Sequence, residues 1–249
     1  MHRIRGKSLN KGNIRMYITY GLGELVLVIA GILIALQVNN WSEGRKTEKL
    51  ELRFLEKLQK DLISDSIYFT QRIMDAESAM EDFYRFVHEA YEIQRDVDEY
   101  KRVLPLDWPS QNMIIENSTY EELKNTAQLN IFKNSALKDQ IISYYKDCEA
   151  ARIHISELNT FTQAELYSIH RYITKYHERF SYLFDQEYMF ENADWEYINN
   201  PDSETFKKVE VTAAVYSYKH DLLLDHFSRL LIQTRMLIEM IDDELMERG

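Results

Sequence analysis

Enzymatic chemistry would need nucleophiles, paired acids or metal ligands at fixed spacings, and this chain offers few of them. Its single cysteine, Cys148, falls within an apolar helical pattern, which favours a buried structural thiol over a nucleophile. No Gly-rich phosphate loop, G-x-S-x-G, H-E-x-x-H or C-x-x-C motif occurs in the sequence. The sequence therefore predicts a protein that is not an enzyme.

Two pairs of histidines are the candidates for metal binding. His170 and His177 are seven residues apart and share a helix face, and His220 and His226 flank two aspartates. Metal sites in bundle cores use Glu-x-x-His pairs on two helices, and no helical histidine here has a glutamate three residues before it. We therefore expect no metal and no cofactor, with the histidines buried and hydrogen-bonded or exposed.

Glu24 is the only charged residue in the apolar run Tyr17–Val38. Gly31 and Ala35 follow it by seven and eleven residues, so the three share one helix face. One acid beside two small residues is typical of contact between membrane helices, and we expect this face to mediate association. The alternatives are a protonated or snorkelling Glu24 and a proton or ion site.

A second candidate surface is a segment rich in aromatic and acidic residues, at 187–200. Its turn signal, Asn-Asn-Pro-Asp at 199–202, predicts an irregular connection at one end of the bundle. Such a loop is our candidate for partner recognition, and the alternative is that its aromatic rings pack in the core. The aromatic residues concerned are Tyr188, Phe190, Trp195 and Tyr197.

The charge distribution favours a membrane over a nucleic acid as partner. The chain of 249 residues has 30 basic and 41 acidic side chains, a net charge of -11. Residues 1–16 nevertheless carry five basic side chains and no acid. An acidic body disfavours binding to phosphates, and a basic segment before an apolar run is a membrane signature. With seven glycines and three prolines, the chain is also too poor in turn formers for a β-sandwich or barrel.

Tyr17–Val38 is long enough to cross a bilayer, since its 22 residues span about 33 Å as a helix. We predict a transmembrane helix at 17–40, between a cytoplasmic tail at 1–16 and an extracytoplasmic domain at 41–249. The basic tail places the N-terminus in the cytoplasm and, in a bacterium with two membranes, the body in the periplasm. A cleaved signal peptide is the alternative, but the apolar run is too long and lacks a small-x-small cleavage site.

Apolar residues beyond the membrane segment recur at three- and four-residue steps, which predicts long helices packed as an antiparallel bundle. The first stripe includes Leu58, Leu62, Ile63 and Ile67. Ser118-x-x-Glu121 predicts a capping box for a short helix. The predicted helices cover 43–102, as one long helix or two stacked ones, then about 119–126, 135 to as far as 182, and 204–246.

Two blocks of the sequence resemble a known family. TYGLGELVLVIAGILIALQVNNWSEGRK resembles the N-terminal signature of an uncharacterised family of single-pass inner-membrane proteins from Bacteroidota. STYEELKNTAQLNIFKNSALKDQIISYY resembles the central helix-turn-helix of that family, in which a glycine usually stands where this chain has Ala127. The resemblance implies an inner-membrane anchor with a helical periplasmic body, and it implies no activity.

The expected function is that of a membrane-anchored interaction or scaffold protein, self-associating or joined to a membrane-protein partner. The alternative is a periplasmic module that binds a small ligand and signals through a membrane partner. An enzyme with an unfamiliar site has only the carboxylates of the chain in its favour.

Overall fold

The computed structural model describes residues 11–92, 96, 110–169 and 197–248, and this part of the chain is helical without a strand. It confirms the all-α prediction of long helices with one short helix among them. The α-helices are α1 (Lys11–Glu92), α2 (Ser118–Asn125), α3 (Ser135–Ile169) and α4 (Glu204–Arg248), with a 3-10 helix at Gln128–Ile131.

The chain divides into two compact units, Met1–Arg53 and Phe54–Gly249, and α1 contributes residues to both. In the first unit the apolar side chains are exposed, Leu27 at 74% and Ile34 at 64%. An 18-residue window here has a mean hydropathy of 2.2 and no buried position, so the helix is long and apolar enough to cross a membrane.

In the second unit α4 runs antiparallel to both α1 and α3. Phe69 of α1 stacks on Phe227 of α4 at 5.9 Å between ring centroids, while Phe83, further along α1, lies 5.6 Å from Tyr216, earlier in α4. The α3–α4 pairs have the same reversed order: Asn134–Glu244, Asp147–Gln233 and His154–His226. The long helices therefore form the predicted bundle.

The core is built from one stripe of each helix, and its aromatic share is large. Burial of a Phe or Leu side chain contributes roughly 1.5–3 kcal/mol, so this cluster is the main source of stability at its end of the bundle. The buried residues of this cluster are Phe83, Phe86, Leu166, Ile169, Tyr197, Ile198, Phe206, Val209, Ala213 and Tyr216.

The predicted core stripe of α1 was partly wrong. Leu58 and Leu62 are buried, but Ile63 is 45% exposed and Ile67 is 68% exposed. Between Ile63 and Ile67, the residue that faces the core is Asp65, which is 1% exposed. A polar residue thus occupies a core position that periodicity alone assigns to apolar side chains.

Polar side chains cap the starts of α3 and α4. Asn134 Oδ1 accepts a hydrogen bond of 3.1 Å from the Leu137 amide, and Ser203 Oγ accepts one of 3.1 Å from the Phe206 amide. The capping box predicted for α2 is absent, because its N-cap is Asn117 and makes no side-chain cap hydrogen bond.

Ala127, which follows α2, has a left-handed backbone with φ 55° and ψ 27°. The Ala127 amide donates to the Lys124 carbonyl oxygen at 3.2 Å, and this bond closes the end of α2. An L residue with a Cβ is disfavoured there, and glycine is not. The glycine usual in the resembling family is therefore the residue that the local geometry prefers.

We expect Ala127→Gly to raise the free energy of unfolding by about 1 kcal/mol, because it relieves the left-handed strain. Urea denaturation followed by circular dichroism at 222 nm, on the full chain in detergent, measures the change. Ala136→Gly in the first turn of α3 is the matched control and should destabilise. A loss of stability in Ala127→Gly would contradict the left-handed conformation of this residue.

Candidate functional site

Three side chains of α1 hold the irregular segment 110–117 and the start of α2 against the bundle. Asp65 Oδ1 accepts from the Glu116 amide at 2.8 Å, and Asp61 Oδ2 accepts from the Thr119 amide at 3.2 Å. The Tyr68 hydroxyl accepts from the Ile114 amide at 3.2 Å. Because these acceptors are spaced by four and three residues, they line one face of α1.

This face of α1 takes the place of the missing capping box. Thr119 is in the first turn of α2, where backbone amides lack helical partners and the helix dipole favours an anion. The Asp61 carboxylate, which belongs to α1, accepts a hydrogen bond from one of these amides and places a negative charge at the start of α2. The sequence signal for a helix start at Ser118 was therefore right, but the group that caps it comes from α1.

Asp65 lies at the centre of the buried polar groups. The Tyr144 hydroxyl of α3 donates to Asp65 Oδ2 at 2.6 Å. Burial raises the pKa of Asp65 to about 6, although its hydrogen bonds with the Glu116 amide and Tyr144 act in the opposite direction. This carboxyl therefore titrates closer to neutral pH than an exposed aspartate.

Neighbouring groups around Asp65 are held in their neutral forms. Burial raises the pKa of Tyr144 and Tyr145, and it raises the pKa of Cys148 to about 12. Cys148 is fully buried, which confirms the predicted structural thiol. Burial thus disfavours the thiolate and phenolate forms of these side chains.

The raised pKa of Asp65 predicts a specific pH dependence. Between about pH 4 and 6 the unfolded chain releases this proton while the folded chain keeps it, so the carboxyl destabilises the fold as the pH rises. Asp65→Asn removes this titration. Its unfolding free energy relative to the unsubstituted protein should rise by about 3 kcal/mol from pH 3.5 to 7, measured by urea denaturation.

Asp139→Asn, at an exposed position of α3, is the control for a change of charge alone. Its difference from the unsubstituted protein should stay nearly constant over the same range. A constant difference for Asp65→Asn as well would show that Asp65 titrates normally in the fold.

A second buried polar group lies nearer the other end of the bundle. Lys219 of α4 is 1% exposed, with Nζ 3.4 Å from both Ser110 Oγ and Asn159 Oδ1. The Asn159 amide group donates to the Gln111 carbonyl oxygen at 2.9 Å, which ties α3 to the irregular segment. Burial lowers the pKa of Lys219 to about 8.

His220 adjoins Lys219 in sequence and is 3% exposed. Its Nδ1 lies 2.7 Å from the Tyr216 carbonyl oxygen, which can only accept, so Nδ1 carries the proton. Burial lowers the pKa of His220 to about 4, so the ring is neutral at pH 7 with Nε2 as the acceptor nitrogen. The stability that follows from a neutral ring is lost as the pH falls from 6.5 towards 4.

A cavity of about 190 Å³ opens between α1, the irregular segment and α4. Its floor is apolar and buried at Ala76 and Phe227, and its rim is exposed at Asp75 and Gln111. The remaining lining residues are Tyr68, Arg72, His220 and Leu223. The cavity is thus a concave, mostly apolar site with a few polar groups, the usual form of a small-molecule site.

His154 of α3 and His226 of α4 form a pair, with Nδ1 of His154 2.8 Å from Nε2 of His226. The guanidinium of Arg229 donates to His226 Nδ1 at 3.1 Å, so Nε2–H of His226 is the donor to His154. Burial and the neighbouring His154 and Arg229 lower the pKa of His226. The described residues contain no group of three His, Cys, Asp or Glu side chains suited to a metal ion.

The residues predicted to mediate membrane association are all on α1, and all three are exposed. Glu24, Gly31 and Ala35 share the face that the spacing indicates. A Cβ atom built on Gly31 would meet nothing within 4 Å. Their role in association stays a prediction.

Of the predicted recognition loop, the structure describes only one aromatic residue. Tyr197 is 8% exposed and packs in the core cluster with Ile198. Tyr188, Phe190 and Trp195 lie outside the described residues, as do His170 and His177. Partner recognition by this loop therefore stays a prediction, with Tyr197 on its inner side.

Sequence reasoning missed Asp65, Lys219 and the cavity. The available signal was a charged residue at a stripe position, since Asp65 follows Leu58 and Leu62 at helical spacing and Lys219 follows Thr212 and Tyr216. A charge in a core stripe indicates a buried polar contact, because an unpaired buried charge is costly.

One family model matches the chain. A DUF6090 domain, of unknown function, covers residues 24–87. The match includes Glu24 and the acceptors of α1, and it agrees with the expected uncharacterised family. No curated protein and no solved structure matches this chain.

Proposed function

We propose that the protein is a non-enzymatic interaction or scaffold protein anchored in the inner membrane by residues 17–40. The observation that supports this proposal is the exposed apolar surface of α1. Val26, Leu27 and Ile34 are 61–74% exposed, and none of the 18 residues in the most apolar stretch of the helix is buried. A continuous apolar surface of this size is unfavourable in water, and hydrocarbon removes the cost.

The periplasmic placement of the body rests on the basic flank and on the family resemblance. Five basic residues precede the membrane helix, and positive flanks are retained in the cytoplasm. The body at 54–249 would then act outside the cytoplasm, with its helical surface offered to a partner.

Membrane topology can be tested by labelling introduced cysteines with a membrane-impermeant maleimide. We expect Asp139→Cys to be labelled in cells with a permeabilised outer membrane, because Asp139 is exposed on α3. Ser8→Cys should be labelled only after lysis. The native Cys148 is buried and should give no background in the folded chain. The reverse pattern would contradict the proposed orientation.

Val28→Arg tests whether this helix is the membrane anchor, and Val28→Leu is the matched uncharged control. Val28 is 54% exposed near the middle of the apolar run, where an arginine costs roughly 2.5–3.5 kcal/mol on insertion scales. Carbonate extraction should release more of the Arg variant than of the Leu variant. Equal retention would place the anchor elsewhere.

We further propose that the chain self-associates, or joins a membrane partner, through Glu24, Gly31 and Ala35. Small residues allow close helix approach, and a polar side chain finds a partner across such a contact. Since a Cβ on Gly31 meets nothing within 4 Å, a larger residue there leaves the single chain undisturbed.

We expect Gly31→Leu to weaken association in detergent by about tenfold, measured by light scattering with size-exclusion chromatography, and Glu24→Leu to act in the same direction. Gly23→Leu is the matched control, since Gly23 also has nothing within 4 Å but lies about 100° around the helix from Glu24. Unchanged assembly in Gly31→Leu and Glu24→Leu would contradict the proposed face.

The cavity beside Arg72 favours a second candidate, a ligand-sensing module that signals through a membrane partner. A site of about 190 Å³ with buried apolar walls and polar groups is large enough for a small ligand. Its position between α1 and α4 means that an occupant contacts both helices.

A further inference from the structure

Exposed basic side chains follow the apolar run of α1 directly. The run ends at Val38, and Arg45, Lys46 and Lys49 come next along the same helix, all of them exposed. Their Cα atoms lie about 10–17 Å beyond Val38 along the helix axis. The headgroup layer of a bilayer extends roughly 5–8 Å beyond the hydrocarbon core. Because Cα–Cβ bonds tilt towards the helix N-terminus, these long side chains point back towards that layer.

The three basic side chains occupy one side of the helix. Lys49 lies about 40° and Lys46 about 100° around the axis from Arg45, in the same direction. The acids Glu43 and Glu48 each lie about 60° outside this arc, one beyond either edge. The arc from Arg45 to Lys46 is therefore a continuous positive surface, which we call the basic arc.

The acids of this stretch do not neutralise the basic arc. Glu43 Oε1 accepts a hydrogen bond of 3.1 Å from Asn39 Nδ2. Glu51 is 1% exposed and lies on the side of the helix opposite the arc. The positive charge of the arc is thus offered to solvent or to a headgroup, and an anion is favoured there.

Trp41 adjoins the basic arc on the side nearer the apolar run. Its ring is 62% exposed, and the guanidinium carbon of Arg45 lies 4.6 Å from the ring centroid. Tryptophan is enriched at the membrane–water interface, where one part of the ring is in contact with hydrocarbon. The cation–π contact holds Arg45 beside this ring, and the guanidinium N–H groups suit phosphate oxygens.

A lipid matches both parts of this surface. Its phosphate would meet the basic arc, while its acyl chains would meet the exposed apolar side chains of Leu36 and Val38. A zwitterionic headgroup also brings a cation, which the arc repels, whereas an anionic headgroup does not. A free phosphate lacks the acyl chains and gains nothing from the apolar run.

We propose that Arg45, Lys46 and Lys49, together with Trp41, bind the phosphate of an anionic phospholipid at the surface of the membrane. The proposal rests on the proposed membrane anchor. Carbonate extraction of the Val28 variants tests the anchor without regard to headgroup charge. Loss of the headgroup preference with the anchor retained would therefore overturn this proposal alone.

Native mass spectrometry of the full chain in a neutral detergent measures lipid binding directly. The probes are phosphatidylglycerol and phosphatidylcholine with identical acyl chains, so that only the headgroup differs. We expect phosphatidylglycerol to bind about tenfold more tightly. Glycerol 3-phosphate, which has the phosphate without acyl chains, should not displace it at equal concentration.

Arg45→Gln/Lys49→Gln should weaken binding of phosphatidylglycerol by about tenfold and leave that of phosphatidylcholine unchanged. Arg45→Lys/Lys49→Arg keeps both charges and should retain the preference to within about threefold. Lys146→Gln/Arg235→Gln is the matched control, since it removes two positive charges at exposed positions of α3 and α4 and should change neither affinity.

Equal affinity of the unsubstituted chain for the two lipids would overturn the anionic class. An unchanged preference in Arg45→Gln/Lys49→Gln would overturn the site, as would an equal loss in Lys146→Gln/Arg235→Gln. Displacement of the lipid by equimolar glycerol 3-phosphate would overturn the lipid as the source of the phosphate.

Discussion

The hydrogen bonds from the backbone of segment 110–119 to Asp61, Asp65 and Tyr68 are the constraint on which the bundle depends. An irregular segment packed among helices has no helical or sheet partner for its amides, and buried amides without partners are costly. Side chains on one face of α1 provide the acceptors at 2.8–3.2 Å. This arrangement allows a non-helical segment to complete an up-down-up-down bundle, and it sets the register between α1 and α2.

That solution requires an aspartate in the core, and its consequences spread to the neighbouring groups. Burial disfavours the charged forms of Asp65, Cys148 and His220, so it raises the pKa of the two acids and lowers the pKa of the histidine. The effects of Asp65 and His220 on stability have opposite signs between about pH 4 and 6, because one is an acid with a raised pKa and the other a base with a lowered pKa. They therefore offset each other over the same range.

The two compact units follow different physical rules. In residues 20–38 the apolar side chains are exposed, which suits hydrocarbon, whereas the described residues of the second unit form an apolar core with buried polar groups. The cavity beside Arg72 belongs wholly to the second unit. The apolar run and the cavity thus consist of separate residues, so each can be changed by mutation without the other.

The sequence by itself determined the elements, and only the tertiary structure decided the site. Helical periodicity and the apolar run are local signals, so the all-α fold and the membrane candidate were predictable. The inward position of Asp65 depends on Glu116 and Tyr144, 51 and 79 residues away. Periodicity cannot predict such contacts. It shows which residues lie on the same face of a helix, but it does not show which other part of the chain packs against that face.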